Sequence, residues 1–156
     1  MNCKRTYHQQ SDRAQTFINR YCAHVSGSRA GEPLVLMPWQ KQLVTEMLGE
    51  RREDGGRLYQ VVWLEAPRKS GKTTLAAALT LYMLLVDEEQ GAEIAICSSS
   101  IGAAGICFNM ARQMVECNAD MSSVCSVRGR SISYKNNHVR VVSLSSEGMG
   151  GVDLSM

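Results

Sequence analysis

The segment Ala66-Pro67-Arg68-Lys69-Ser70-Gly71-Lys72-Thr73-Thr74 lies between an apolar run, Val61-Val62-Trp63-Leu64, and a long apolar helical pattern from Leu75 to Val86. A short loop between a β-branched strand and a helix that starts at once is the layout of a phosphate-binding loop. In such a loop the backbone N–H groups turn inward, and the helix N-terminus adds partial positive charge. Lys72 then reaches the β- and γ-phosphates, and the Thr73 hydroxyl sits on Mg²⁺. The strict pattern has Gly in the first position, where this chain has Ala66. The ligand this motif selects is a nucleoside triphosphate with Mg²⁺.

The remainder of the chain supplies a fold to carry the loop. Tyr59 to Leu64 reads as a first strand, Thr73 to Val86 as a helix buried on most sides, and Glu93 to Cys97 as a second strand. Ser98-Ser99-Ser100 can cap a helix from about Ile101 to Val115. Strand, helix, strand, helix implies an α/β fold with a parallel sheet flanked by helices. Upstream, residues 9–24 form a helical pattern that Ser26-Gly27-Ser28 ends. Leu34-Val35-Leu36 is short and extended, and Pro38 opens a helix with Leu43, Val44, Met47 and Leu48 on its buried stripe. Downstream, Ser131 to Tyr134 and Val139 to Leu144 read as two strands joined by a turn at Lys135-Asn136-Asn137-His138. Residues 49–57 and the Gly-rich stretch after Leu144 read as loops.

Bulk properties exclude several classes. A chain of 156 residues is one domain by length, and 44% hydrophobic residues suffice for a core. A formal net charge of +2 does not by itself argue for nucleic acid. No apolar run is long enough to span a bilayer, and the N-terminus lacks the apolar stretch of a secretory signal, so a cytoplasmic setting is expected. The six cysteines form no C-x-x-C pair, which argues against a zinc ribbon. Cys97, in its strand, and Cys107, on its helix, read as small buried hydrophobes.

Hydrolysis of a triphosphate needs more than the loop: a carboxylate for the metal and a group that orients water. Met83-Leu84-Leu85-Val86-Asp87-Glu88 fits an apolar-then-acidic pattern by letters, but it falls at the far end of the helix that starts beside Lys72. Within the loop, Arg68 is placed to touch the γ-phosphate, so Lys72 and Arg68 are the candidate catalytic residues. Lys69 adds positive field. In Met37-Pro38-Trp39-Gln40, Gln40 has the donors and acceptor to pair with an adenine edge, and Trp39 offers an apolar surface; a packed helix start is the competing reading. Arg51, Arg52, Arg57, Arg112, Arg128 and Arg130 read as solvated surface.

Together these residues resemble the ATPase domain of the large terminase subunit of tailed double-stranded DNA phages. Leu36-Met37-Pro38-Trp39-Gln40 is similar to that family's adenine-binding glutamine segment, and Ala66 to Thr74 to its variant phosphate loop, with an Arg inside and the first Gly replaced. Ile94 to Ser100 with the following helix, and Ser143 to Gly151, are similar to its next elements. The resemblance implies a helical lead-in over residues 1–33 and a P-loop NTPase-type nucleotide-binding core over 34–156. It also implies a role in the motor that hydrolyses ATP to pump DNA into a capsid. Gln40 is then the adenine contact, Ala66 to Thr74 the nucleotide loop, Thr73 the metal ligand and Arg68 the γ-phosphate sensor. Double-stranded DNA, a portal protein and a small terminase subunit are the implied partners, in a host-cell cytoplasm.

In that family an acidic strand, a coupling segment and a nuclease domain follow. This sequence stops ahead of all three. The expectations are no nuclease, a sheet incomplete at its C-terminal side, an exposed edge prone to self-association, and ATP turnover that is weak in isolation. A helicase-like ATPase or a non-catalytic nucleotide-binding remnant are the alternatives. A small-molecule kinase would need an Arg-rich lid and an acceptor-binding Asp, and neither is evident after residue 100.

Overall fold

Helix α1 (Cys3–Tyr21) turns Ser11, Ala14 and Ile18 inward at helical spacing, together with Phe17. The structure is a computed structural model that describes residues 3–49, 52, 56–87 and 89–143. Phe17 closes the stripe by setting its ring 5.4 Å from Tyr21 and 6.0 Å from Tyr82. The helix stops at Tyr21. Beyond it the chain makes a tight loop: His24 N–H donates to the Glu32 carbonyl, Gly31 N–H to the His24 carbonyl, and Leu34 N–H to the Cys22 carbonyl. Residues 34–36 stay extended without joining a sheet.

Helix α2 (Pro38–Gly49) begins on Pro38, whose missing N–H costs nothing at a first helical position. It buries Gln40, Val44 and Leu48 at four-residue intervals, with Leu43 and Met47 packed at the core margin. Gln15 Nε2 donates to Thr45 Oγ1 at 3.0 Å and ties α1 to α2. Helix α3 (Lys72–Leu85) buries Leu75, Ala77, Ala78, Leu81, Tyr82 and Leu84, so it is the central rod of the core, as its all-round apolar pattern predicts.

The sheet has the order β1-β4-β3-β2. Strand β1 (Glu93–Ser98) lies parallel to β4 (Asn137–Ser143), from Glu93 opposite His138 to Ser98 opposite Ser143. Strand β3 (Ser131–Tyr134) is antiparallel to β4, and β2 (Ser126–Arg128) is antiparallel to β3. The sheet is therefore mixed, which corrects the expectation of a parallel one. The crossover through helix α4 (Ile101–Glu116) makes one parallel pair, and tight turns then add antiparallel strands. Ser100 caps α4 as expected, its Oγ accepting from Ala103 N–H at 3.2 Å. Helix α5 (Ala119–Val124), capped by Asn118, and strand β2 have no counterpart in the sequence reading. The β3–β4 turn is shorter than expected: Lys135 takes a left-handed φ of 52° and Asn137 already belongs to β4.

Two further expectations fail. Tyr59 to Leu64 bends at Gln60 and belongs to no strand. A strand exists only where another backbone lies alongside. Among the described residues none does, so Val61 and Trp63 are 84% and 88% exposed. Cys97 is also exposed. It shares with Glu93 and Ala95 the face of β1 turned away from α4. On that open face Arg140 forms an ion pair with Glu93. Of the other thiols, Cys22 is buried, Cys107 and Cys125 are half-buried and Cys117 is exposed, so the buried reading holds for only part of the set. The stretch from Leu144 onward lies outside the described residues.

Candidate nucleotide site

The loop from Ala66 to Gly71 leads directly into α3, and its backbone is shaped where the sequence places the motif. Lys69 and Gly71 both take left-handed conformations, with φ of 66° and 84°, on either side of Ser70. Left-handed residues in a tight loop are the backbone signature of an anion-binding concavity. A left-handed lysine carries strain of the kind that collects at ligand clamps. Gly71 is the N-cap of α3, and no side chain caps that end. The first-turn N–H groups, which no helix can satisfy internally, are thereby left for a ligand or water.

Lys72 folds back over its own loop. Its Nζ donates to the Pro67 carbonyl at 2.8 Å and to the Ala66 carbonyl. Those carbonyls hold the ammonium at the mouth of the helix, where a phosphate would compete for it. The hydroxyl of Ser70 is buried and has no hydrogen-bond partner among the described residues.

An open cleft of about 980 Å³ lies at this point. Arg68, Lys69, Ser70, Gly71, Lys72, Thr73 and Thr74 line one side of it. The structure thus brings together the cationic, hydroxyl and glycine members of the predicted loop. Ala66 and Pro67 are not on the cleft wall; they act behind it, through the carbonyls that hold Lys72. The opposite wall was not foreseen. It comes from His24, Ser26, Gly27, Ser28 and Arg29, with Met110 of α4 at the rim. Ser26-Gly27-Ser28 had signalled only the end of a helix. Their separation of about forty residues from the loop leaves no local signal that they meet it.

Gln40 is 4% exposed and does not line the cleft. Its Oε1 accepts from Met37 N–H at 2.9 Å, the reach-back bond of a helix N-terminus. Its Nε2 sits against Gly71: a Cβ built there would be 3.1 Å away. Gln40 thus lies directly behind the candidate loop. Asp87 follows the far end of α3, about 20 Å from Lys72 by helical rise, and pairs with Arg57. It is remote from the cleft, as its position in the chain predicts. Among the described residues, no cleft-lining side chain is a carboxylate, and no cluster of three metal-ligating side chains occurs. No described helix is long and apolar enough to cross a membrane.

Comparison with known proteins places this geometry. The family model for the terminase large subunit, ATPase domain, matches residues 38–148. The large terminase subunit of Enterobacteria phage HK97 is 29% identical over 142 residues, covering 89% of this chain and 27% of that protein. The crystal structure of the HK97 bacteriophage large terminase superposes with a TM-score of 0.76 at 26% identity, covering 90% of this chain and 29% of that one. This chain accordingly spans less than a third of the length of either relative. The match takes in α2, the 66–71 loop with α3, and the mixed sheet, and by it the chain belongs to the terminase large subunit family, within its ATPase domain.

Proposed function

We propose that this chain binds ATP with Mg²⁺ as the ATPase part of a motor that packages double-stranded DNA into phage capsids. The observation that carries the reading is the cleft at the uncapped start of α3, where Lys72, Arg68 and Lys69 converge on a left-handed loop. The residues fit a triphosphate: one wall supplies cationic side chains, hydroxyls and the uncapped first turn of α3, with no carboxylate among its described residues. In this reading the loop 66–74 encloses the phosphates. Lys72 exchanges its two backbone carbonyls for phosphate oxygens, and Arg68 meets the γ-phosphate. The Thr73 hydroxyl supplies a ligand to Mg²⁺, which offsets phosphate charge when bound. For Gln40 to contact adenine, its Nε2, which faces Gly71 behind the cleft, must turn toward the ligand on binding. DNA, a portal protein and a small terminase subunit are the partners that fit the family.

Turnover by this stretch of chain alone is slow, in the same reading. Hydrolysis needs a carboxylate or amide to orient the attacking water, and no described cleft residue supplies a carboxylate. Calorimetric titration with ATP–Mg²⁺ and a phosphate-release assay test the two halves separately. Lys72→Ala is expected to weaken ATP binding roughly ten- to hundredfold, the range for a lost charge-assisted contact. Equal affinity in the two proteins removes the loop assignment. Fast phosphate release by the wild-type chain overturns the slow-turnover reading and leaves binding intact.

A further inference from the structure

The cleft has two walls, and only one belongs to the phosphate loop. The other is the turn from His24 to Arg29. It is rigidly built. Ala30 N–H donates to the Gly27 carbonyl, Glu32 N–H to the Arg29 carbonyl, and His24 exchanges backbone bonds with Glu32 and Gly31 across the neck of the loop. Gly27 and Gly31 take the left-handed conformations that let it close, with φ of 81° and 87°. Arg29 is committed elsewhere, its Nε donating to Glu32 Oε2 at 2.7 Å.

His24 is not committed. Its Nε2 is buried and has no hydrogen-bond partner among the described residues. Ser70 Oγ, on the facing wall, is in the same condition. Buried polar atoms are nearly always bonded, and an exception beside a cleft points to what the cleft holds. With Nε2 protonated, His24 has a donor to offer, as Ser70 has its hydroxyl; among the described residues neither wall presents a carboxylate to accept from them, and the acceptors of a nucleoside triphosphate are its oxygens.

We propose that His24 is a nucleotide-contacting residue: on binding, its imidazole turns Nε2 into the cleft and donates to an oxygen of the triphosphate or ribose, across from the phosphate loop. The proposal deepens the ATP reading and rests on it. It assigns the 24–29 turn as the second half of the site, so that the nucleotide bridges the α1–α2 connection and the start of α3. The turn carries no apolar side chain toward the cleft, which suits this polar end of the ligand better than the base.

Titration of the wild-type chain and of His24→Ala, His24→Gln and Lys72→Ala with ATP–Mg²⁺ tests this. His24→Ala is expected to bind about tenfold more weakly, as one lost hydrogen bond implies. His24→Gln, whose amide nitrogen falls near the position of Nε2, is expected to recover most of the loss. Full affinity in His24→Ala, with binding lost in Lys72→Ala, overturns the His24 assignment while the ATP reading stands. Full affinity in Lys72→Ala overturns the ATP reading itself. A measurement on the unaltered protein guards against a variant that fails to fold: the ring signals of His24 in the NMR spectrum should shift on addition of ATP–Mg²⁺ while those of His138, on the sheet, stay in place. Unmoved His24 signals at saturating ATP count against the proposal.

Discussion

Gly71 and Gln40 are in such close register that a methyl group on the one would stand 3.1 Å from Nε2 of the other. The loop before α3 therefore rests on α2, and a β-carbon at its tightest point would press the Gln40 amide back by a few tenths of an ångström. Gly71 also holds a φ of 84°, where a β-carbon is strained whatever the surrounding space. Gly71→Ala is expected to cost about 1–2 kcal/mol and to lower the melting temperature by several degrees, with weaker ATP binding. An unchanged melting curve would show that the loop has slack not visible here.

The two ends of the Gln40 amide have separable jobs. Oε1 secures the start of α2 through Met37, and Nε2 faces the loop. Gln40→Glu keeps the acceptor for Met37 but buries a carboxylate in place of the donor, so stability should fall and any preference for ATP over GTP should be lost. Gln40→Leu loses the bond to Met37 without burying a charge and should cost ~1 kcal/mol of stability. Competition binding with the two nucleotides, beside thermal melts, reads each job. Undiminished ATP preference in Gln40→Glu would assign the residue to helix-start packing alone.

Asn137 is buried where the sheet meets the end of α3. Its Oδ1 accepts from the N–H groups of Gly91 and Ala92 at 2.8 and 3.0 Å, and its Nδ2 donates to the Leu84 carbonyl at 3.2 Å. Asn137→Ala strands all three partners. The expected loss is roughly 2–4 kcal/mol, seen as a lower denaturant midpoint, with ATP affinity of the folded protein unaffected because the site is at the other end of α3.

Burial pushes the Cys22 thiol up from 9.0 to about 12. The unfolded chain can ionise this thiol above pH 9 and the folded chain cannot. Its contribution to stability is thus complete below pH 9 and is lost as pH rises from 9 toward 12. Melts between pH 8 and 11 should show a steeper decline for the wild type than for Cys22→Ala. Thiol reagents at pH 8 should modify the exposed Cys97 and Cys117 well before Cys22. Parallel declines for the two proteins would remove Cys22 as the source.

The ribbon before the loop exposes Val61 and Trp63 on a backbone that has no strand neighbour among the described residues. Such an edge invites pairing with another copy. Sedimentation should show association that rises with concentration and that Val61→Lys with Trp63→Lys suppresses. Equal association in the double variant would move the contact elsewhere.

What the sequence disclosed and what it withheld follow from the range of the interactions. The loop, α3 and the Ser100 cap of α4 are local: a glycine that can turn left-handed, a lysine after it and a serine before a helix act within a few residues. Glu93 to Cys97 and the β3–β4 hairpin were legible for the same reason. The status of Tyr59 to Leu64 was not, because an alternation of apolar side chains states what a strand would bury and not whether a neighbour is at hand. Cys97 was misjudged with it, since only the fold decides which face of β1 a helix covers. The mixed sheet and the facing wall at His24 depend on contacts tens of residues apart, to which composition and spacing are blind. Gln40 was singled out for its hydrogen-bonding groups, but its place behind Gly71 emerges only when α2 and α3 are packed together.

Helix α3 begins at the loop that lines the cleft and ends where Asn137 Nδ2 bonds the Leu84 carbonyl. A hydrogen-bonded helix compresses little along its axis. The Lys135-Asn136 turn is thereby tied, through Asn137 and Leu84, to the same rigid element whose first turn borders the cleft.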